Sequence, residues 1–454
     1  MQNIMIKYPK TTEQKLAQMQ QDARFDILND NDTVGIPDLS FIKKEIKSKP
    51  TPPKVPKMFL SNDCIFDCAY CGCRSSLDFD RYTNSPKELA KLCVDEAINN
   101  KHGVFISSGI HKNPDYTEEL IIATIKSIRL DYGYKGYVHA KIMPGTSPDL
   151  IWQAGLYANR IDVNIEVAKS EGYSQIAKNK NKKNILTPME LIARYRRAAA
   201  EERRRYRHAP NFATSQTTQL MPGSVGETDF EILRLAKAMY KKYDLARVYY
   251  SPFYCMHQAK GYPDLPQVVT PVWRMKRLYQ ADRLMQLYGF TPDELAPDSE
   301  TFLSPELDPK AAWVLRHMHL YPVEVNTADY EMLLRIPGIG TTCAARIIKA
   351  RQYCIITHDV LRTLGVSLKR SVHFVTCNGK YKGEKLTDIP QAYLEWLLLN
   401  CDLSKNLYEA VEAVLSEHDD YFGYERDKRE LARLPLTSEQ HERAAKEAAR
   451  RRGI

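Results

Sequence analysis

The stretch MFLSNDCIFDCAYCGCR (58–74) decides how the rest of the chain is read. Met58, Phe59 and Leu60 open it as a short apolar run of the kind that makes a buried strand. Cys64, Cys68, Cys71 and Cys73 follow at once, four of the chain's ten cysteines. Ten cysteines in 454 residues are too few for a disulfide scaffold. The C-x3-C-x2-C spacing of Cys64, Cys68 and Cys71 instead sets three soft donors on one loop. A structural zinc site takes four ligands, usually as two Cys/His pairs, and no second pair stands elsewhere. An iron–sulfur cubane takes one thiolate per iron, so three cysteines leave one iron open to a small molecule. A zinc knuckle completed by Cys73 is the competing reading.

Outward from this loop the sequence alternates. Apolar runs at 58–60, 103–109, 137–143, 161–167, 212–221 and 246–254 read as buried strands, and helical periodicity fills 86–100, 117–132, 147–158, 187–208 and 228–243. Such alternation predicts β/α units around a parallel sheet, curled by crossovers of one hand into a full or partial barrel. After about residue 290 the alternation gives way to short helical segments. The expected organisation is an N-terminal extension (1–56), a barrel (57–290), a helical module (291–380) and a C-terminal helical segment with a charged tail (381–454). A 43% hydrophobic share is that of a globular protein, and no apolar run reaches the roughly 20 residues that cross a bilayer. Membrane-spanning, collagenous and largely disordered classes are excluded. The opening MQNIMIKYPKTTEQK has no apolar core or small-residue cleavage site, so a soluble cytoplasmic protein is expected.

The cysteine loop, with the aromatic Tyr70 before its third cysteine, resembles that of the radical S-adenosylmethionine enzymes. The resemblance extends over about 57–290 and implies α/β architecture, a partial (β/α)6 TIM-like barrel. It implies a [4Fe-4S] cluster on Cys64, Cys68 and Cys71 whose open iron chelates S-adenosylmethionine, and an electron donor such as a flavodoxin or ferredoxin. One-electron cleavage of the sulfonium would then give a 5′-deoxyadenosyl radical. Barrel enzymes build their sites at the carboxyl ends of strands. The cofactor-binding candidates are therefore Tyr70; Ser107, Ser108 and Gly109, where the family carries a Gly-Gly-Glu-like turn; Lys141, toward the cofactor carboxylate or solvent; Asn164 and Glu166, at period two toward the ribose; and Gly223 and Glu227 in the turn beside adenine. Cys255, at the end of the sixth strand, is a candidate hydrogen-atom donor, with buried packing as its competing role.

A second motif stands at 325–351, VNTADYEMLLRIPGIGTTCAARIIKAR. It resembles the helix-hairpin-helix of DNA-binding proteins and implies an all-α module. Asn326-Thr327-Ala328 is expected to start the first helix, Pro337-Gly338-Ile339-Gly340 to form the hairpin, and Thr341 or Thr342 to cap the second helix. Amides at the hairpin and helix start suit a phosphate oxygen. Gly338, Ile339, Gly340, Thr341, Thr342, Arg346 and Lys349 are the nucleic-acid-binding candidates. Residues 357–380 look like a degenerate second half of a tandem hairpin. Of the chain's net charge of +9, a surplus of seven falls within 341–385, as expected of a module gripping a phosphate backbone. Together the two parts resemble the DNA modification or repair radical S-adenosylmethionine proteins. That implies DNA as partner, with RNA as the alternative nucleic acid, and a DNA-repair protein as a further partner. A non-catalytic, zinc-containing DNA-binding protein is the alternative of another class.

Overall fold

A computed structural model describes residues 56–100, 103–253, 262, 270–298, 302–305 and 307–383. Cys255, the 1–55 stretch and the charged tail lie outside the described residues. All described residues belong to the first of the two units into which the chain divides, Met1–Asp402.

Six short strands form one parallel sheet in sequence order: β1 (Lys57–Phe59), β2 (Val104–Ser107), β3 (Val138–Lys141), β4 (Arg160–Asp162), β5 (Ser215–Leu220) and β6 (Arg247–Tyr250). β1 and β6 are not paired with each other, so the barrel is open. The crossovers are α1 (Pro86–Asn100), α2 (Pro114–Leu130), α3 (Pro148–Tyr157), the short α4 (Gly172–Ile176) with the long α5 (Lys182–Arg205), and α6 (Asp229–Tyr243). Local chemistry starts them where the sequence places a cap. Asn113 accepts from the Tyr116 amide ahead of α2, while Asn181/Asn184 and Thr228/Glu231 close reciprocal capping boxes on α5 and α6. Pro188 lies inside α5 and cannot donate to the Asn184 carbonyl four residues back. The Gly145 amide takes that carbonyl instead, at 2.7 Å.

Alternation along each strand splits the sheet into two chemistries. Met58, Val104, Ile106, Val138, Ala140, Ile161 and Val248 are buried and apolar. The alternate residues are largely polar and in register: Lys57, Phe105, His139, Arg160 and Ser215 make one layer, and Phe59, Ser107, Lys141, Asp162, Thr217 and Arg247 the next. His139 stacks on Phe105 with ring centroids 4.2 Å apart and bonds Asp162 at 2.8 Å.

The fourth strand is shorter than the expected 161–167. β4 ends at Asp162, because the Thr218 hydroxyl takes over the ladder: it accepts from the Ile165 amide and donates to the Val163 carbonyl. Pairing resumes at one bridge, Glu166 to Leu220, with Glu166 at φ +63°.

Beyond the barrel come α7 (Val272–Leu287), α8 (Pro292–Leu295), α9 (Pro309–Arg316), α10 (Tyr330–Arg335), α11 (Thr341–Ala350), α12 (His358–Thr363) and α13 (Leu368–Ser371). This module is not all-α as expected. β7 (Val323–Glu324), β8 (Val375–Cys377) and β9 (Lys380–Tyr381) form a three-stranded sheet. The signal was Asn378-Gly379, both at positive φ (54° and 69°), as a two-residue hairpin requires. Glu324 accepts from both of their amides and from Asn326, which outweighs its burial and holds its carboxyl at about 2. No described helix is long and apolar enough to cross a membrane.

Candidate functional site

The cysteine loop leaves β1 at its carboxyl end and is fixed by its backbone. Gly109 donates to Ser61 O at 2.7 Å, Ile65 to Ile110 O at 2.9 Å, and Ala69 to Ile176 O at 2.8 Å. Arg81 then staples it with four bonds of 2.7–2.8 Å, to the carbonyls of Asn62, Cys73, Arg74 and Leu77. The sulfurs are the acceptors left over. Cys64 Sγ takes the amides of Phe66 (3.4 Å) and Ile110 (3.3 Å), and Cys71 Sγ takes that of Cys73 (3.4 Å). Burial pushes the Cys68 thiol up to about 12 and raises Cys64 as well. The Cys73 side chain, itself buried, bonds Cys71 and brings that thiol down to about 7. Cys64, Cys68 and Cys71 act on one another electrostatically, so the fold gathers them.

The turn after β2 packs against this loop. A Cβ on Gly109 would stand 2.9 Å from the Cys64 Cβ, so only glycine allows the approach. Ser107 is buried in the strand, and the Ser108 hydroxyl donates to Gly109 O at 2.6 Å. On this geometry 107–109 hold the cysteines rather than reach outward with a hydroxyl.

Lys141 is turned along the barrel wall. Its ammonium bonds Asp162 at 3.0 Å and Asn164 at 2.7 Å, so its partners are a carboxylate and an amide of the protein. Burial opposes the Asp162 charge, but Lys141 and then His139 outweigh it and hold that carboxyl at about 2. Glu166 is 3% exposed; one oxygen bonds Lys180 at 2.8 Å and the other, Oε2, has no partner among the described residues. In the turn after β5, Gly223 sits at φ +86°, and the buried Glu227 accepts the amides of Gly223 and Val225. Glu227 therefore shapes the turn with both oxygens.

Sequence reasoning missed Arg81 and Lys180. Lys180 Nζ bonds the Tyr70 hydroxyl at 3.0 Å as well as Glu166, and its charge acts on Cys64, Cys68 and Cys71. In the run KNKNKK (178–183) nothing marks this lysine apart from its neighbours.

Among the described residues no three His, Cys, Asp or Glu side chains are arranged around a single metal ion. Thiolates on one zinc ion stand about 3.8 Å apart, given Zn–S bonds of about 2.3 Å in a tetrahedron. Those on a cubane take separate irons. Three soft donors on one amide-lined loop, two of them partly exposed and with amides of Phe66, Ile110 and Cys73 on their sulfurs, fit a cluster that Cys64, Cys68 and Cys71 could hold.

The second site is the turn between α10 and α11. α10 starts later than expected: Asp329 is its N-cap, accepting from Met332 at 2.6 Å. Asn326 instead ties the preceding turn to Ile356, with bonds of 2.7 and 3.0 Å. Gly340, not Thr341 or Thr342, caps α11. Gly338 lies at φ +79°, where a Cβ would be 2.7 Å from Ser367 O. Ile339 is 1% exposed, so its side chain anchors the hairpin in the core and is withdrawn from a ligand. Thr342, Arg346 and Lys349 are exposed on α11, and Arg346 also bonds Leu364 O at 3.0 Å. The turn between α12 and α13 repeats the first: Leu364-Gly365-Val366-Ser367 stands 27 residues after Pro337-Gly338-Ile339-Gly340, with Gly365 at φ +89°. The two turns brace each other, Ser367 N donating to Gly338 O at 3.3 Å.

No protein-family model matches the chain, and no curated protein sequence does. Among solved structures the chain is similar to the FeFe-hydrogenase maturase HydG from Carboxydothermus hydrogenoformans, at 15% identity over 51% of each chain with a TM-score of 0.36. A second HydG structure covers 94% of this chain and 87% of its own, at 14% identity and a TM-score of 0.39. The radical S-adenosylmethionine methyltransferase TsrM from Kitasatospora setae is similar at 12% identity, over 44% of this chain and 36% of that one, with a TM-score of 0.31. The chain thus spans about half the length of the first of these and about a third of TsrM.

Proposed function

We propose that this chain is a radical S-adenosylmethionine enzyme acting on nucleic acid, with DNA held by its backbone. One observation carries the reading: three thiols on one loop at the carboxyl end of the first strand of an open parallel barrel, backed by amides and a buried lysine. When bound, a [4Fe-4S] cluster and S-adenosylmethionine supply one-electron cleavage of a sulfonium and, through it, hydrogen-atom abstraction. The chain's own residues do the rest. Cys64, Cys68 and Cys71 would hold the cluster; the 107–109 turn and Arg81 fix the loop; Glu166, with Oε2 unpaired among the described residues, is an acceptor for a hydroxyl or amine of the cofactor. A physiological one-electron donor follows from the same chemistry.

Support for nucleic acid comes from the hairpin. Gly338 and Gly340 keep the turn tight, and the first amides of α11 have no i−4 partner within the helix. They suit a phosphate oxygen, a contact that is salt-sensitive and blind to sequence, and Arg346 in the middle of α11 and Lys349 in its last turn add positive charge along the same helix. The hairpin is tied to α7 and α9: Arg335, at the end of α10, donates to Tyr288 O just past α7 at 3.0 Å, and Lys310 on α9 donates to Ile339 O at 2.9 Å. The reaction is repair of a lesion or installation of a modification on a sugar or base.

The test is anaerobic purification followed by iron, sulfide and zinc analysis, then reduction with S-adenosylmethionine and assay for 5′-deoxyadenosine. Brown protein that forms 5′-deoxyadenosine is expected. Colourless protein with stoichiometric zinc and no product refutes the enzyme. Filter binding of matched DNA and RNA duplexes decides the nucleic acid, with tighter DNA binding expected; preference for RNA would overturn that half.

A further inference from the structure

The chain segment that follows α4 is built as a strap across the cysteine loop. Ile176 O accepts from Ala69, Asn179 Oδ1 accepts from the Asp67 amide at 3.0 Å, and Lys180 reaches Tyr70 and Glu166. The strap is itself fixed, since Lys180 N donates to Ala177 O at 2.7 Å and Asn181 caps α5. Glu166 does not depend on Lys180 for its place. Its amide donates to Gln219 O and its carbonyl accepts from Met221, so the backbone pins it to β5. The ammonium is 11% exposed and is held by groups from two separate segments. Two of its three N–H donors are engaged, by the Tyr70 hydroxyl and by Glu166.

A buried lysine so placed is costly unless it compensates nearby negative charge. Glu166 is one such charge. Three thiolates on the neighbouring loop are a larger one, and Lys180 bonds the tyrosine that immediately precedes Cys71. We propose that Lys180 is the fixed counter-charge of the cysteine centre, required for the three thiolates to be held together and for the centre to accept an electron. The inference rests on the function proposed above and adds a residue that the cysteine motif does not contain. Its physical basis is that a cluster's reduction adds negative charge, which a fixed cation nearby favours, and net charge and hydrogen bonding are the levers on cluster potential. It also predicts which way the centre shifts when the charge is removed. Glu166 and Tyr70 share the ammonium; Glu166, as an anion, acts in the opposite direction.

The experiment uses the full chain, reconstituted with iron and sulfide without S-adenosylmethionine, so that cofactor binding plays no part. Iron content and midpoint potential are measured for the parent, Lys180→Met and Lys180→Arg. Lys180→Met is expected to lower the reduced-to-oxidised ratio at a fixed applied potential at least tenfold, a shift of about −59 mV for one electron. Lys180→Arg is expected to stay near the parent. If Lys180→Met takes up no iron while Lys180→Arg does, the charge is needed for assembly and the proposal stands. An unchanged potential in iron-loaded Lys180→Met overturns it, as does loss of iron from both variants, which would mark a packing role. A parent chain without an iron–sulfur centre is a different failure, that of the proposed function itself.

Discussion

The cysteine loop and the tandem hairpin are both tight loops shaped by glycine, yet they divide labour in opposite ways. At 61–81 the backbone is what is held, its carbonyls by the Arg81 guanidinium and its amides by paired carbonyls, and side-chain sulfurs are left presented. At 337–340 and 364–367 side chains do the holding, Ile339 in the core and Lys310 on its carbonyl, and leave backbone amides presented. The difference follows from what each would bind. Soft metal needs thiolates, which only a side chain supplies, whereas a phosphate oxygen needs clustered N–H donors, which a tight turn supplies without any side chain. Substitution should therefore hurt the first region through its side chains and the second through its Cβ atoms.

The largest effect is expected from Cys68→Ala, which should abolish iron uptake and 5′-deoxyadenosine formation while duplex binding persists. Iron retained at parental stoichiometry would break the comparison on the barrel side. Next is Arg81→Met, which orphans four loop carbonyls; a stability loss of roughly 3 kcal/mol and slower iron loading are expected, by denaturant titration and reconstitution kinetics.

A pH test separates the two regions. Burial raises the Glu118 carboxyl from 4.5 to about 8, so the folded state keeps its proton where the unfolded state releases it. Its contribution is present below pH 4.5 and lost as pH rises to about 8, by on the order of 5 kcal/mol. Glu324, held at about 2, works the other way: its contribution is present above 4.5 and lost as pH falls. Glu118→Gln should flatten the alkaline slope of unfolding and leave the acid slope alone. An unaltered alkaline slope would mean that Glu118 is not the group responsible.

Smaller still is Gly338→Val, which puts a Cβ against Ser367 O at positive φ; about a tenfold loss of DNA affinity with unchanged iron content is expected. Affinity that survives at moderate salt would remove the hairpin from the binding site. The smallest is Lys349→Ala, a few-fold loss that lowers the slope of log affinity against log salt by about 1.

Much of this was legible in order along the chain. Alternating apolar runs gave six strands in their true sequence, and α1 runs over the expected 86–100. The three cysteines and the two hairpin glycines stood out because their chemistry depends on spacing. Legibility stopped where a residue's task is set by a distant partner. The end of β4 was misplaced because Thr218, on another strand, supplies the bond that closes it. For Lys141 the sequence offers a ligand or solvent, and nothing in it announces the partners that the fold supplies, Asp162 at 3.0 Å and Asn164 at 2.7 Å. The β7–β9 sheet was passed over although Asn378-Gly379 announced its turn.

From the amino acids alone came the donor set, the strand alternation and the glycines at positive φ, all of them short-range patterns that period and spacing encode directly. Tertiary structure alone decided which cation faces the cysteines, which arginine closes their loop and which polar groups satisfy one another, because those pairings join residues as distant as Tyr70 and Lys180, 110 positions apart. Buried polar groups must find partners wherever the fold brings them, and no local pattern records the meeting.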